Sequence, residues 1–331
     1  MRGAHKLSRR DLLKRGAAGA AGLGVLGKAV SAAEQMPHAH DPHLAGTVGS
    51  VSGASPDPMA FLEHFDYGQV SELPSGQTLR EYEIRAIDRE VEVAPGVFYP
   101  AWTYEGQVPG PTIRATEGDR VRVRFLNLGT HPHTIHFHGV HPANMDGVFE
   151  PVLPGQDFVY EFDAKPMGLH LYHCHAVPLK KHIAKGLYGT FIVDPLAPRP
   201  PAREMVMVLN GFDTNLDGEN EVYAANTVAF AYQKHPIVVR KNELQRIYMV
   251  NLLEFDLINS MHLHGNLFHV YRTGTSLTPH EFTDTLMMCQ GERHIIEFTY
   301  EETGRFMFHA HQSEFAELGW MGLFDVVEPT T

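Results

Sequence analysis

From about Leu79 onward, apolar and polar positions alternate in short runs. Val121, Val123 and Phe125 are separated by Arg122 and Arg124, and Phe158, Tyr160 and Phe162 by Val159 and Glu161. Phe306 and Phe308 flank Met307. A period of two marks half-buried strands, whose successive side chains point to opposite faces. Turn residues interrupt the runs at Pro109-Gly110-Pro111, Pro154-Gly155-Gln156 and Gly304. No amphipathic helix of the usual length stands out. Many short strands broken by glycine and proline predict an all-β fold of sandwiches. Residues 34–70, with Pro37, Pro42, Pro56 and Pro58 among Gly, Ser and His, read as a loop-like segment.

The chain repeats itself. Thr112–Gly139 ends in His-Phe-His-Gly, and Ile237–Gly265 ends in His-Leu-His-Gly. Each follows a strand-like run, Val121–Asn127 and Arg246–Leu252. Gly155 stands eighteen residues before His173, and Gly291 eighteen before His309. A unit of about 125 residues is too long for a solenoid repeat and points to two copies of one domain. We place them at 71–197 and 198–331, joined by the proline-rich stretch Pro195–Pro201. The second copy carries extra residues near Thr273–Glu281.

The first 33 residues differ in composition. Ser8-Arg9-Arg10-Asp11-Leu12-Leu13-Lys14 precedes a weakly apolar run, Ala17 to Leu26, and then small residues, Ala29 to Ala33. This order reads as a signal peptide, and the paired arginines resemble a twin-arginine signal. The apolar run is too short and too rich in Gly and Ala for a membrane anchor. The expectation is a periplasmic or extracellular protein that is exported folded, with no stable membrane span in the mature chain. The whole chain carries a net charge of −12, and without these residues about −18. That balance argues against nucleic acid as a partner, which needs a basic surface.

Histidine is the compositional outlier, at 22 residues. Four His-x-His pairs occur at matching places in the two copies: His136/His138, His173/His175, His262/His264 and His309/His311. On a strand, residues i and i+2 share a face, so each pair presents two imidazoles side by side. A single pair is explained by a solvent-facing strand. Eight converging imidazoles in an apolar setting call for a metal.

The chain has only two cysteines, Cys174 and Cys289, so no disulfide framework holds it. Cys174 lies inside the second pair, with His133 upstream and His182 downstream. Two imidazoles and one thiolate match the trigonal set of blue copper. Zinc can use the same atoms, but it cannot change redox state. The run His173-Cys174-His175 would wire a thiolate site to two ligands of another site, which suits electron transfer. The plainer readings of Cys174, a core residue or a partner of Cys289, leave that wiring without a use.

These motifs closely resemble those of the multicopper oxidase family, over roughly Tyr99 to Val327. The residues that carry the resemblance are His133-Thr-Ile-His136-Phe-His138-Gly139, His173-Cys174-His175 with His182, Met261-His262-Leu263-His264-Gly265 and His309-Ala310-His311. The resemblance implies two tandem cupredoxin-like Greek-key β-sandwich domains and four coppers per functional unit. His133, Cys174 and His182 would bind the type 1 copper, and His136 and His262 the type 2. His138, His173, His175, His264, His309 and His311 would bind the type 3 pair. Similar two-domain oxidases form homotrimers, so copper clusters shared between chains are expected here.

Departures from the family pattern matter. Leu187 stands five residues after His182, at the axial type 1 place where many members have Met. Losing a thioether should leave that copper three-coordinate and raise its potential. In the second copy Asn259 and Ala310 replace His133 and Cys174, and Phe315 and Trp320 fall near the places of His182 and Leu187. That domain is expected to hold no type 1 copper. Asp146, after His138, matches an acid near type 2 copper in similar oxidases. Glu314, after His311, is a candidate proton relay, since reducing dioxygen consumes protons. Their plainer readings are a turn aspartate before glycine and an exposed loop glutamate.

The implied activity is laccase-like: one-electron oxidation of a phenol, an amine, or a cuprous or ferrous ion, coupled to reduction of dioxygen to water. A copper-containing nitrite reductase shares the two-domain plan, but His136, His175 and His311 are surplus to it. A non-enzymatic copper carrier fits the export signal, but not the wiring through Cys174. Two features read as bland: His38, His40 and His43 as a polar tail, and Asp213-Thr-Asn215-Leu-Asp217-Gly218 as a solvated hairpin loop. The calcium-loop pattern that this run resembles needs an acid at its twelfth position, where Ala224 stands.

Overall fold

In the computed structural model, which describes residues 57–329, the alternating runs form strands. The signal segment and the His38–His43 tail lie outside the described residues. The first domain holds β1 (Gln69–Glu72), β2 (Thr78–Ala94), β3 (Val97–Tyr104), β4 (Ile113–Thr116), β5 (Arg120–Asn127), β6 (His136–Phe137), β7 (Asp157–Asp163), β8 (Gly168–His173) and β9 (Tyr188–Asp194). The second holds β10 (Arg203–Phe212), β11 (Val222–Ala225), β12 (Ile237–Arg240), β13 (Gln245–Asn251), β14 (Ile258–Leu263) and β15 (Phe268–Arg272). It continues through β16 (Glu281–Thr283), β17 (Thr285–Cys289), β18 (Arg293–Phe298), β19 (Gly304–His309) and β20 (Met321–Val327).

Each domain is a pair of sheets, and the pairing repeats. β2 runs parallel to β5 as β10 does to β13, and β5 is antiparallel to β7 as β13 is to β18. In the other sheet β4 is parallel to β9 as β12 is to β20, and β6 pairs with β8 as β14 does with β19. The two-residue period explains the core: Val121, Val123 and Phe125 are buried, whereas Arg122 and Arg124 reach acids on neighbouring strands. Such half-exposed pairs each contribute under about 1 kcal/mol.

The domains share a core. Val91, Val93, Tyr99, Leu169 and Leu171 of the first pack in one cluster with Met205, Val206 and Phe212 of the second. Arg114 on β4 crosses the boundary, gripping Asp194 and Glu204. Arg246 grips Glu204 and Glu297, so both buried guanidiniums are ion-paired. The extra residues of the second copy serve as a strap. Leu169 donates its amide to the Thr273 carbonyl at 2.8 Å, and Arg199 in the linker donates to the Gly274 and Ser276 carbonyls.

One expectation needs correction. Residues 58–62 of the supposed loop-like segment form a helix, Pro58–Leu62, capped by the Asp57 carboxylate with proline at its start. Phe61 and Leu62 are buried in the shared core, and burial overrides the proline-rich composition. Among the described residues no helix is long and apolar enough to cross a membrane.

Candidate metal centre

Strand pairing brings the sequence-distant histidines together. β6 aligns His136 opposite His173, and β14 aligns His262 opposite His309. In the first domain the His136 ring centroid lies 5.2 Å from His138, 5.3 Å from His173 and 5.5 Å from His175. In the second, the His262 ring lies 5.0 Å from His264, 5.4 Å from His309 and 5.3 Å from His311. The facing nitrogens are close: Nε2 to Nε2 is 3.3 Å for His138 and His173, and 2.9 Å for His264 and His309.

The orienting bonds repeat as well. His173 Nδ1 faces the Cys174 carbonyl at 2.9 Å, and His309 Nδ1 faces the Ala310 carbonyl at 2.6 Å. His136 Nδ1 faces the Asp146 carbonyl at 2.7 Å, and His262 Nδ1 the Asp284 carbonyl at 3.0 Å. A carbonyl behind the ring fixes the proton on Nδ1 and leaves Nε2 as the ligand atom. Burial pushes His138 down to about 3 and His173 to about 4, so both rings stay neutral and ready for a metal at ordinary pH.

Among the described residues the ligand groupings stay within one domain or the other: His136, His138 and His173 form one set, and His262, His264 and His309 another. The chain thus carries two matching half-sites rather than one closed site. His264 and His311 are exposed in the second half, while His173 is buried in the first.

The sulfur site is complete within one domain. His133, Cys174 and His182 are all buried. His133 Nδ1 and His182 Nδ1 are 3.2 Å apart, and Cys174 Sγ is 3.2 Å from His182 Nδ1 and 3.9 Å from His133 Nδ1. Metal bonds of about 2 Å at trigonal angles put ligand atoms about 3.5 Å apart, so the three atoms fit one small ion. Burial lowers His133 to about 3, and burial with the nearby His131 lowers His182 to about 4. Burial also pushes the Cys174 thiol up. A metal must therefore supply the driving force for thiolate formation. Leu187 is fully buried, and its carbonyl accepts the Cys174 amide at 2.9 Å. A hydrocarbon side chain there leaves no fourth ligand.

The equivalent place in the second domain is filled. Ala310 N–H donates to the Trp320 carbonyl as Cys174 N–H does to that of Leu187, and Trp320 N–H donates to the Phe315 carbonyl as Leu187 N–H does to that of His182. The Trp320 indole donates to the Ser260 carbonyl, and Phe315 stacks on Tyr223 at 4.1 Å. Ala310 and Phe315 put hydrocarbon where Cys174 and His182 stand, Asn259 takes the place of His133, and no metal set forms there among the described residues.

Asp146 lies against the cluster: its Oδ1 is 3.2 Å from His136 Nδ1 and 3.7 Å from His141 Nε2. Glu314 is exposed, in the first turn of the helix Ser313–Glu317. Sequence reasoning passed over Thr134 and Ser260. The Thr134 hydroxyl accepts the His175 amide at 3.0 Å, and the Ser260 hydroxyl accepts the His311 amide at 2.8 Å. Each stands two residues before a paired histidine, so aligning the two copies would have exposed them. Trp102 was also missed. Its ring lies 4.8 Å from His182, 5.4 Å from His133 and 4.4 Å from His131. It arrives on β3, far away in sequence, with no motif to mark it.

Comparisons with known proteins agree with this geometry. Two family profiles, each described as multicopper oxidase, match residues 88–198 and 198–330. A solved structure described as a multicopper oxidase is 55% identical and superimposes with a TM-score of 0.82, covering 83% of this chain and 98% of its own. A copper nitrite reductase structure from Nitrosomonas europaea is 26% identical with a TM-score of 0.70, over 75% of this chain and 94% of its own. The copper-containing nitrite reductase of Neisseria meningitidis serogroup A is 28% identical over 251 residues, 69% of this chain, and the match spans 64% of that relative's length. Both cupredoxin-like domains carry the family's pattern, and the chain belongs to the multicopper oxidase family.

Proposed function

We propose that this protein is a laccase-like oxidase that removes single electrons from a donor and reduces dioxygen to water. The observation that carries the reading is the presence of both half-sites: eight imidazoles in two matching sets, one of them joined to a buried N₂S site by consecutive residues. When bound, copper supplies the one-electron chemistry: four donor oxidations and four protons convert one dioxygen into two waters.

His133, Cys174 and His182 would hold the type 1 ion, and His136 and His262 the type 2 ion. His138, His173, His175, His264, His309 and His311 would hold the type 3 pair. His173 and His175 flank Cys174 in the chain, so the two sites are linked by single peptide units. Carbonyl contacts to Nδ1 of His136, His173, His262 and His309 hold the rings in one tautomer. Asp146 sits against His136, where its carboxylate can steady that ring and pass protons. Glu314 is the second proton-relay candidate.

One chain does not close the cluster, which supports an assembly in which the first domain of one copy meets the second of another. Exposed apolar residues adjoin both half-sites: Val177 is 90% exposed two residues after His175, and Leu257 is 88% exposed five before His262. A neighbouring copy docked over the half-sites would cover both. A homotrimer is the arrangement we propose, exported to the periplasm or beyond by the twin-arginine-type signal.

Nitrite reduction is the competing reading, favoured by the copper nitrite reductases among the similar proteins. That chemistry needs one type 1 and one mononuclear site, to which His136, His175 and His311 are surplus. Copper content separates the two, at four per chain against two, together with oxygen uptake against nitrite loss. Cys174→Ser tests the reading. We expect the blue absorbance and the oxygen uptake to vanish while circular dichroism keeps the strand signature. Unchanged turnover would overturn the scheme.

A further inference from the structure

A cleft of about 740 Å³ opens between the two domains, over the sulfur site. Its volume falls within the range of small-molecule sites, about 300–1,000 Å³. Trp102 is shared between the cleft and the metal site. It is 7% exposed, and its ring lies between the cleft and the imidazoles of His133 and His182. His182 itself is only 3% exposed and is not part of the cleft wall. A ligand resting in the cleft therefore touches Trp102 rather than the imidazole.

The charges in the wall are unevenly distributed. Lys180 and Lys181, from the helix Leu179–Ala184, place their ammonium groups 4.2 Å from the Phe255 ring centroid and 5.1 Å from that of Trp102. Neither is ion-paired among the described residues. The acids of the opposite wall are engaged differently. Asp213 is buried and accepts the amides of Asp217 and Gly218, and Asp217 accepts the amide of Glu219. The cleft thus presents three lysines, Lys180, Lys181 and Lys185, each with its ammonium over an aromatic ring, and carboxylates engaged by backbone amides.

We propose that this cleft selects the electron donor by charge as well as shape, taking a flat aromatic that carries a carboxylate or sulfonate. The anion draws Lys181 off the indole, so that the ring stacks on Trp102 while the anion sits at Lys180 and Lys181. This rests on the oxidase reading and adds the donor class and its selectors. An aromatic stacked on the indole stands one ring away from both imidazoles of the sulfur site. A phenol bound there loses one electron and its hydroxyl proton, leaving a phenoxyl radical. The electron passes inward and the proton goes to solvent.

The test uses the copper-loaded full chain and a pair of aromatics that cannot be oxidised. Isothermal titration of benzenesulfonate and of neutral benzenesulfonamide should show the anion binding at least about tenfold tighter, a difference of about 1.4 kcal/mol. Lys180→Gln/Lys181→Gln should erase that preference while leaving the neutral compound's affinity within about twofold. Trp102→Ala should weaken both compounds by about tenfold, and Trp102→Phe should recover most of the loss. In turnover, the donor pair 4-hydroxy-3-methoxybenzoate and its methyl ester should show the same charge preference in kcat/KM. The lysine variant should raise KM for the acid without lowering kcat. Equal binding of the two sulfur compounds, or a preference that survives in the lysine variant, would overturn the proposal. A protein that keeps the anion preference yet takes up no oxygen would count against the oxidase reading and not against the cleft's ligand class.

Discussion

Replacing Thr134 by valine probes how the two sites are held together. Thr134 is fully buried, and its hydroxyl accepts the His175 amide at 3.0 Å. Its own amide points at Cys174 Sγ at 3.4 Å. Valine has the same shape but offers no acceptor, so the His175 N–H loses its partner. An unsatisfied donor costs about 1–3 kcal/mol, and the extra buried methyl offsets about 0.8 kcal/mol of that. The net loss is about 0.2–2 kcal/mol, or up to about 8 °C in Tm if the two domains unfold together. The amide contact to the sulfur survives, but the Thr134 hydroxyl also reaches Cys174 and is lost, so the blue absorbance should persist with a shifted maximum. Oxygen uptake should fall several-fold as His175 loses its restraint. Scanning calorimetry, the visible spectrum and an oxygen electrode on one preparation read all three. Ser260→Ala should give the same pattern through His311. An unchanged Tm together with unchanged oxygen uptake in Thr134→Val would refute the claim that this hydroxyl fixes His175.

Two further outcomes follow from the electrostatics. Burial holds His133, His138, His173 and His182 at about 3 to 4, below the value of about 6.5 they take in an unfolded chain. Between those limits the unfolded chain binds more protons, so the copper-free fold should lose stability as pH falls from about 6.5, with no further loss from these groups below about 3. Thermal melts of copper-free protein at pH 7.5 and pH 5 test this, and a flat or rising Tm on acidification would contradict it. Arg114→Met should cost about 1–3 kcal/mol, because part-exposed Asp194 loses its partner while Glu204 keeps Arg246 and the Tyr248 hydroxyl. Since the pair spans the domain boundary, the calorimetric transition should also broaden or split, and a single unshifted transition would argue against this role.

The strands and the histidine sets were legible because both depend on short-range pattern. A period of two fixes which side chains turn inward, and His-x-His on a strand fixes two rings on one face. The repeat carried more than it first yielded, since Thr134 and Ser260 occupy the same offset in each copy. Four features were illegible for physical reasons. Trp102 reaches His182 through sheet packing between residues eighty apart in sequence, which no local spacing encodes. The carbonyls of Asp146 and Asp284 that orient His136 and His262 are backbone groups, common to every residue. The interdomain cleft draws its walls from both copies, and only their docking through the Thr273 strap and the shared core creates it. The Pro58–Leu62 helix was hidden because proline signalled loop, while two buried residues, Phe61 and Leu62, decided the outcome.

Where the coppers lie separates one shared cluster from two isolated half-sites. A crystal structure of the copper-loaded oligomer, with anomalous scattering at the copper edge, is the measurement that decides it. Four coppers per chain are expected. One lies among His133, Cys174 and His182, and three lie between the first-domain histidines of one protomer and the second-domain histidines of its partner. Coppers confined to separate half-sites, with no protomer bringing His262, His264, His309 and His311 to His136, His138, His173 and His175, would contradict this arrangement.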